Sequence, residues 1–100
     1  MKVIVAEAAW ADMLHIGRYI GRDNPARAES FLAELYQRCE SLGETPKAYP
    51  LMPNWEEHGI RRRRHRNYLI FFRITADSVE VLHVLHGAQD YETILFPDSE

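Results

Sequence analysis

A single cysteine, Cys39, stands in the 100 residues. It excludes an intrachain disulfide and cannot by itself hold a thiolate metal site. Long apolar runs are missing too. The longest in the second half, Tyr68 to Phe72, is far too short to cross a bilayer. Val3 to Ala6 is cut off by Glu7 before a signal-peptide core can form. A cytoplasmic protein without membrane contact is the expectation. The histidines have no metal-ligand spacing, since His15, His58 and His65 match neither Cys39 nor one another. No metal and no cofactor are assigned. Internal repeats and low-complexity stretches are absent, and 46% hydrophobic residues suffice for one modest core. A single domain over residues 1–100 follows.

One stretch also lacks acid. Residues 58–73 hold Arg61, Arg62, Arg63, Arg64, Arg66 and Arg73 without one Asp or Glu. The net charge of −3 therefore hides a local +6 on a body of −9. Such a block is a candidate dock for an anionic partner, or a charged edge strand that resists aggregation.

Residues Lys2 to Ala6 read as a strand through their β-branched run. From Ala8 to Arg22, Ala9, Met13, Ile16 and Ile20 recur at helical spacing. Asn24 and Pro25 supply an N-cap and a first helical residue. The second helix carries Ala28, Phe31, Leu32, Leu35, Cys39 and Leu42 on one stripe, with Gly43 as its stop. Pro46, Pro50 and Pro53 make residues 45–57 an irregular connector. Strands are expected over residues 59–66, 67–75 and 79–87, the last two joined by a turn at 76–78. The class is α+β in the order β-α-α-β-β-β. An N-terminal strand and an antiparallel helical hairpin pack on a mainly antiparallel sheet.

Strand alternation places His83 and His86 on opposite faces, where they cannot form an acid–base pair without a bulge. His83 shares its face with Val79, Val81 and Leu85 and reads as a packed, hydrogen-bonded side chain. His86, at the strand end, reads either as functional or as a tie between the following turn and the sheet. Alternation also puts Arg61 and Arg63 on one face, and Arg62, Arg64 and Arg66 on the other. Trp55 reads as a core cap.

Four phrases occur in order: Asn24-Pro25-Ala26, Gly59-Ile60-Arg61, Tyr68 to Ile74, and Val81 to Asp90. With the element order they resemble the RelE/ParE toxin superfamily over Val3 to Leu95, and the closing strand resembles the ParE branch. The resemblance implies the toxin of a type II toxin–antitoxin pair. Its partners would be a cognate ParD-like antitoxin, in a hetero-oligomer, and DNA gyrase, trapped on cleaved DNA. Operator DNA would be met only through the antitoxin. Gln89 stands where the family commonly has Arg. The RelE branch implies a ribosome-dependent messenger endonuclease instead, but its catalytic Arg and Tyr align with Gly87 and Thr93. No catalytic residue is assigned. Three readings stay open: a gyrase-poisoning binding protein, a messenger RNase, and a non-toxic relative that binds only its antitoxin.

The antitoxin is expected at Trp10, Met13, Leu14, Tyr36, Arg61, Arg62 and Arg64. The stripe of Ala9, Met13, Ile16, Ile20, Phe31, Leu35 and Cys39 is expected to be only partly covered by the sheet. Target binding is expected at Arg73, His86, Asp90, Tyr91 and Phe96. The segment from Tyr91 to Phe96 is too apolar for a free tail, so it folds back on the sheet or inserts into a partner.

Overall fold

A computed structural model describes residues 1–98; the last two residues of the domain expected over 1–100 lie outside the described residues. Strand β1 (Lys2–Val5) leads into helix α1 (Glu7–Gly21) and helix α2 (Pro25–Glu40). The Asn24 side chain accepts the Arg27 N–H at 3.0 Å, and Pro25 occupies the first turn of α2. This is the cap that the dipeptide promised. Three 3-10 turns follow α2, at Ser41–Gly43, Pro46–Ala48 and Glu56–His58, and then come β2 (Ile60–His65), β3 (Tyr68–Ile74) and β4 (Ser78–His86). A short helix, α3 (Tyr91–Leu95), closes the described chain.

The sheet order is β1-β4-β3-β2. Strands β2, β3 and β4 pair antiparallel, while β1 lies parallel to β4, so the sheet is mixed. The hairpin covers one face. Ala9, Met13, Ile16, Phe31, Leu35 and Cys39 are all buried against Ile70, Phe72, Val79, Val81 and Val84. The stripe is thus fully covered except at Ile20, which is half-buried, and this corrects the expectation of partial cover. The two helices lie close enough for the sheet to seal their joint stripe. A Cβ on Gly17 would meet Leu32 Cδ1 at 2.7 Å. Burying one such Leu or Phe contributes roughly 1.5–3 kcal/mol.

A second core fills the opposite face. Met52, Ile60, Leu69, Phe71, Leu85 and Phe96 form it, with Trp55, Leu82, Tyr91 and Leu95 packed around them. Its cover comes from the connector and α3. Trp55 stacks on Phe96 with centroids 4.0 Å apart and rings 8° from parallel, and its indole N–H donates to Glu92. Trp55 is a core cap, and the tail folds back on the sheet.

Three local details depart from strand and helix periodicity. Gly43 follows the helix in a 3-10 turn, and its glycine serves packing: a Cβ there would collide with the Met1 carbonyl oxygen. Arg66 and Asn67 form the β2–β3 turn, with Arg66 in the left-handed region at φ 55°. Strand β4 carries a bulge, since Phe72 pairs with Val81 and Phe71 with His83. Leu82 is the extra residue, and beyond it the alternation slips by one. Leu85 consequently joins the second core, away from Val79 and Val81, correcting the face expected for it.

Candidate functional site: the hairpin surface and the cleft at its turn

Besides Tyr19 near the hairpin turn, three large apolar side chains stand exposed on the hairpin. Trp10 is 46% exposed, Leu14 58% and Tyr36 41%. Trp10 and Leu14 are one helical turn apart on α1, and Tyr36 faces them from α2. The Trp10 and Tyr36 rings stack at 5.5 Å and 25°. The Glu40 carboxylate beside Tyr36 raises the phenol above its ordinary range, so the hydroxyl stays a donor. Met13, expected with this group, is 4% exposed and belongs to the core, because its position on α1 faces the sheet. It cannot reach a partner without repacking.

The arginine block is largely occupied inside the fold. Arg61 donates to the Tyr49 carbonyl at 2.7 Å. Arg63 donates to Ser41 Oγ at 2.7 Å and to the Arg38 carbonyl at 3.1 Å, over the Tyr49 ring. It thereby satisfies a carbonyl at the end of α2, which helix geometry leaves open. Arg62 lies on the α3 side and donates to the Tyr91 hydroxyl at 3.2 Å. Arg64, Arg66 and Arg73 are the exposed members. The left-handed turn swings Arg66 to the helix side, 3.8 Å from Glu34, and off the face of Arg62 and Arg64 where alternation had put it.

The residues expected to meet the target are held as follows. Arg73 pairs with Glu80 at 2.8 Å. Asp90 caps α3, accepting the Thr93 hydroxyl at 2.7 Å. Tyr91 packs beside Phe71, and Phe96 is 8% exposed beneath Trp55. Ile94 is the exposed apolar residue of α3. His86 Nδ1 accepts the Ala88 N–H at 3.0 Å, which leaves the neutral ring's proton on Nε2. The turn is tied again where Gln89 Oε1 accepts the His86 N–H at 2.8 Å. The structural role for His86 is therefore present.

His83 is hydrogen-bonded as well. Its Nδ1 donates to Asp12 Oδ2 on α1 at 2.8 Å, and the same oxygen accepts the Val84 N–H at 2.9 Å. Strand β1 pairs with β4 only as far as Val81, so Asp12 covers an amide the sheet no longer reaches. The Gly87 and Thr93 positions carry no titrating side chain. Burial pushes the Cys39 thiol up to about 12, which keeps it protonated and a poor nucleophile. Among the described residues, no three His, Cys, Asp or Glu side chains gather to hold a metal. No helix there is long and apolar enough to cross a membrane.

A cavity of about 580 Å³ opens where the hairpin turn meets the ends of β3 and β4. Ile16, Ile20, Phe31 and Tyr68 line its apolar part; Arg27, Arg66 and His86 line its polar part. Sequence reasoning singled out His86, Arg66 within the arginine block, and Ile16, Ile20 and Phe31 within the stripe expected to be partly covered, but did not bring them together at one cleft. Arg27 and Arg66 stand 39 positions apart and meet only through Glu34, so no local spacing signals them. Glu34 accepts from Arg27 at 2.7 Å and lies 3.0 Å from His65 Nε2. These hydrogen bonds, Arg27 first, lower its carboxyl to about 2.

Comparison with known proteins agrees with this architecture. A chain of the chromosomal ParDE toxin–antitoxin system from P. aeruginosa superposes with a TM-score of 0.75 at 17% identity, covering 86% of this chain and 95% of that one. At that identity the likeness is one of fold. No curated protein sequence matches significantly. The family profile of the ParE toxin of the type II toxin–antitoxin system parDE matches residues 3–91. The chain, with its hairpin laid on a mixed sheet, belongs to the ParE toxin family.

Proposed function

We propose that this protein is held inactive by a cognate ParD-like antitoxin and, once released, inhibits DNA gyrase by trapping the gyrase–DNA cleavage complex. The observation that carries the antitoxin half is the exposed Trp10–Leu14–Tyr36 surface. Two stacked aromatics and a leucine, spread over two helices, suit the spaced apolar side chains of a segment that folds on binding. Arg64 and Arg66, on different faces, add exposed guanidiniums for carboxylates of such a segment. Operator DNA would be reached only through the antitoxin, and the complex would act in the cytoplasm.

Binding is favoured over messenger cleavage by the side chains near the end of β4. Cleavage through a 2′-hydroxyl needs an acid, a base and positive charge at the phosphate. Gly87 and Thr93 occupy the positions where the RNase branch places its pair. His86 Nδ1 is engaged by the backbone, and Tyr91 by Arg62. The target surface would then comprise the exposed side of α3 around Ile94, together with the exposed Arg73 of β3.

Expression without antitoxin tests the whole reading. Gyrase-linked DNA breaks with intact messenger are expected, and co-expressed antitoxin should suppress them. Messenger cleaved on ribosomes with intact DNA would replace gyrase by the ribosome as target. Normal growth of cells that accumulate folded protein would leave only the antitoxin-binding half.

A further inference from the structure

We infer that the cleft at the turn of the hairpin receives one bulky apolar side chain flanked by a carboxylate, presented by a peptide segment of a partner. Under the proposed function that segment belongs to the antitoxin; only the peptide's source rests on that reading. The volume, about 580 Å³, lies within the usual range of ligand pockets and exceeds what one large side chain needs. Ile16, Ile20, Phe31 and Tyr68 supply the apolar contact. Tyr19 stands at its mouth 64% exposed, free to close over an occupant.

The charge balance selects a single carboxylate. Among the described residues no Asp or Glu lines the cleft, and the fixed charges there are Arg27 and Arg66. Glu34 shares both, Arg27 tightly at 2.7 Å and Arg66 loosely at 3.8 Å. Arg27 is held further by the Phe31 ring, 5.0 Å from its guanidinium carbon. Two guanidiniums against one carboxylate leave one positive charge, centred on Arg66. A nucleic-acid strand brings a charge with every nucleotide and would call for several free cations. One peptide carboxylate matches the surplus.

The strand end beside the cleft also argues for an inserted side chain over an added strand. Asp12 takes the Val84 N–H and Gln89 takes the His86 N–H, so these two backbone donors are already satisfied. An occupant would gain by filling the apolar pocket and meeting Arg66.

The test is a titration of the isotope-labelled full chain, followed by NMR, with acetyl-Phe-Glu-amide, acetyl-Phe-Gln-amide and acetyl-Phe-Lys-amide. The Glu peptide should shift the amides of Tyr19, Phe31, Tyr68 and Gln89, leaving Trp10 and Tyr36 unmoved. It should bind about tenfold tighter than the Gln peptide, the effect of one charge-assisted contact, and the Lys peptide weakest of the three. Arg66→Asn, which tolerates the left-handed turn, should equalise Glu and Gln peptides; Tyr19→Ala should weaken both alike. Equal affinity of the three peptides for the natural chain would overturn the proposal. So would shifts centred on Trp10, or none at roughly 10 mM peptide, enough to saturate a millimolar site. Tighter binding of a single-stranded thymidine pentanucleotide at the same amides would assign the cleft to nucleic acid. None of these outcomes depends on toxicity, so the gyrase reading and the cleft can fail separately.

Discussion

The two faces of the sheet are sealed by different means. On one, two regular helices lay a continuous stripe over Ile70, Phe72 and Val84. On the other, a proline-broken connector and a five-residue helix bring in Met52, Trp55 and Phe96 to cover Leu69 and Phe71. Strand β3 is apolar on both sides, so both faces need cover. The difference teaches where stability and adaptability reside. The hairpin is long enough to be secured over many turns, whereas α3 is too short to persist without its contacts. Its hold consists of Phe96 under Trp55, the Trp55–Glu92 bond and the Arg62–Tyr91 bond.

Substitutions on the two faces should expose this asymmetry. Phe72→Ala on the hairpin side should cost about 3–5 kcal/mol and appear as a global loss of stability in denaturant. Phe96→Ala should cost less globally, because α3 can detach without unfolding the hairpin. Its signature would be faster hydrogen exchange at residues 91–96 with unchanged protection in α2. Equal loss of protection in both regions would show that the two cores unfold as one. Deleting residues 91–100 would uncover Phe71 and Leu85, removing a structural layer along with any target contact. Ile94→Ser is therefore the cleaner probe of target binding, and it should lower gyrase-linked breakage while leaving stability within about 0.5 kcal/mol.

A third change concerns the link between α2 and the β2–β3 turn. Glu34 titrates at about 2 in the folded chain against an ordinary value of 4.5. Its ionised form thus contributes stability above about pH 4.5 that is lost as pH falls toward 2. Urea midpoints of the natural chain should fall through that window more steeply than those of Glu34→Gln. Identical slopes would mean that solvent screens the Arg27 and His65 contacts of this partly exposed carboxylate. A small effect on stability, about 0.5–1 kcal/mol, is expected for Trp10→Ala, because the residue is 46% exposed and its ring loses the stack on Tyr36. Its effect on antitoxin affinity should be far larger, as exposed aromatics that become buried dominate many interfaces.

The same contrast explains what the sequence disclosed. The hairpin was legible because Ala9, Met13 and Ile16, and Phe31, Leu35 and Cys39, repeat at 3.6-residue spacing, and because Asn24-Pro25 punctuates it. Strands β2 to β4 were legible from their β-branched and aromatic runs. The parallel placement of β1 was not, since pairing direction is set by how the hairpin returns the chain. Helix α3 escaped because one turn has too few residues to show a period, although its apolar residues did signal that the tail packs. The bulge at Leu82 was equally hidden: nothing in Val81-Leu82-His83-Val84 marks the extra residue, yet it decides where Leu85 points. Of the candidate site, the exposed trio of Trp10, Leu14 and Tyr36 was readable as surplus beyond a narrow stripe. The Arg27–Glu34–Arg66 arrangement was not, because it depends on a left-handed turn at an arginine.

Incubating purified protein with gyrase, supercoiled plasmid and ATP, and then denaturing the gyrase, tests the central claim most directly. Linear DNA covalently attached to gyrase should accumulate with the natural chain, and stoichiometric antitoxin should abolish it. Plasmid that stays intact, together with site-specific messenger cut by the same preparation on ribosomes, would contradict the account.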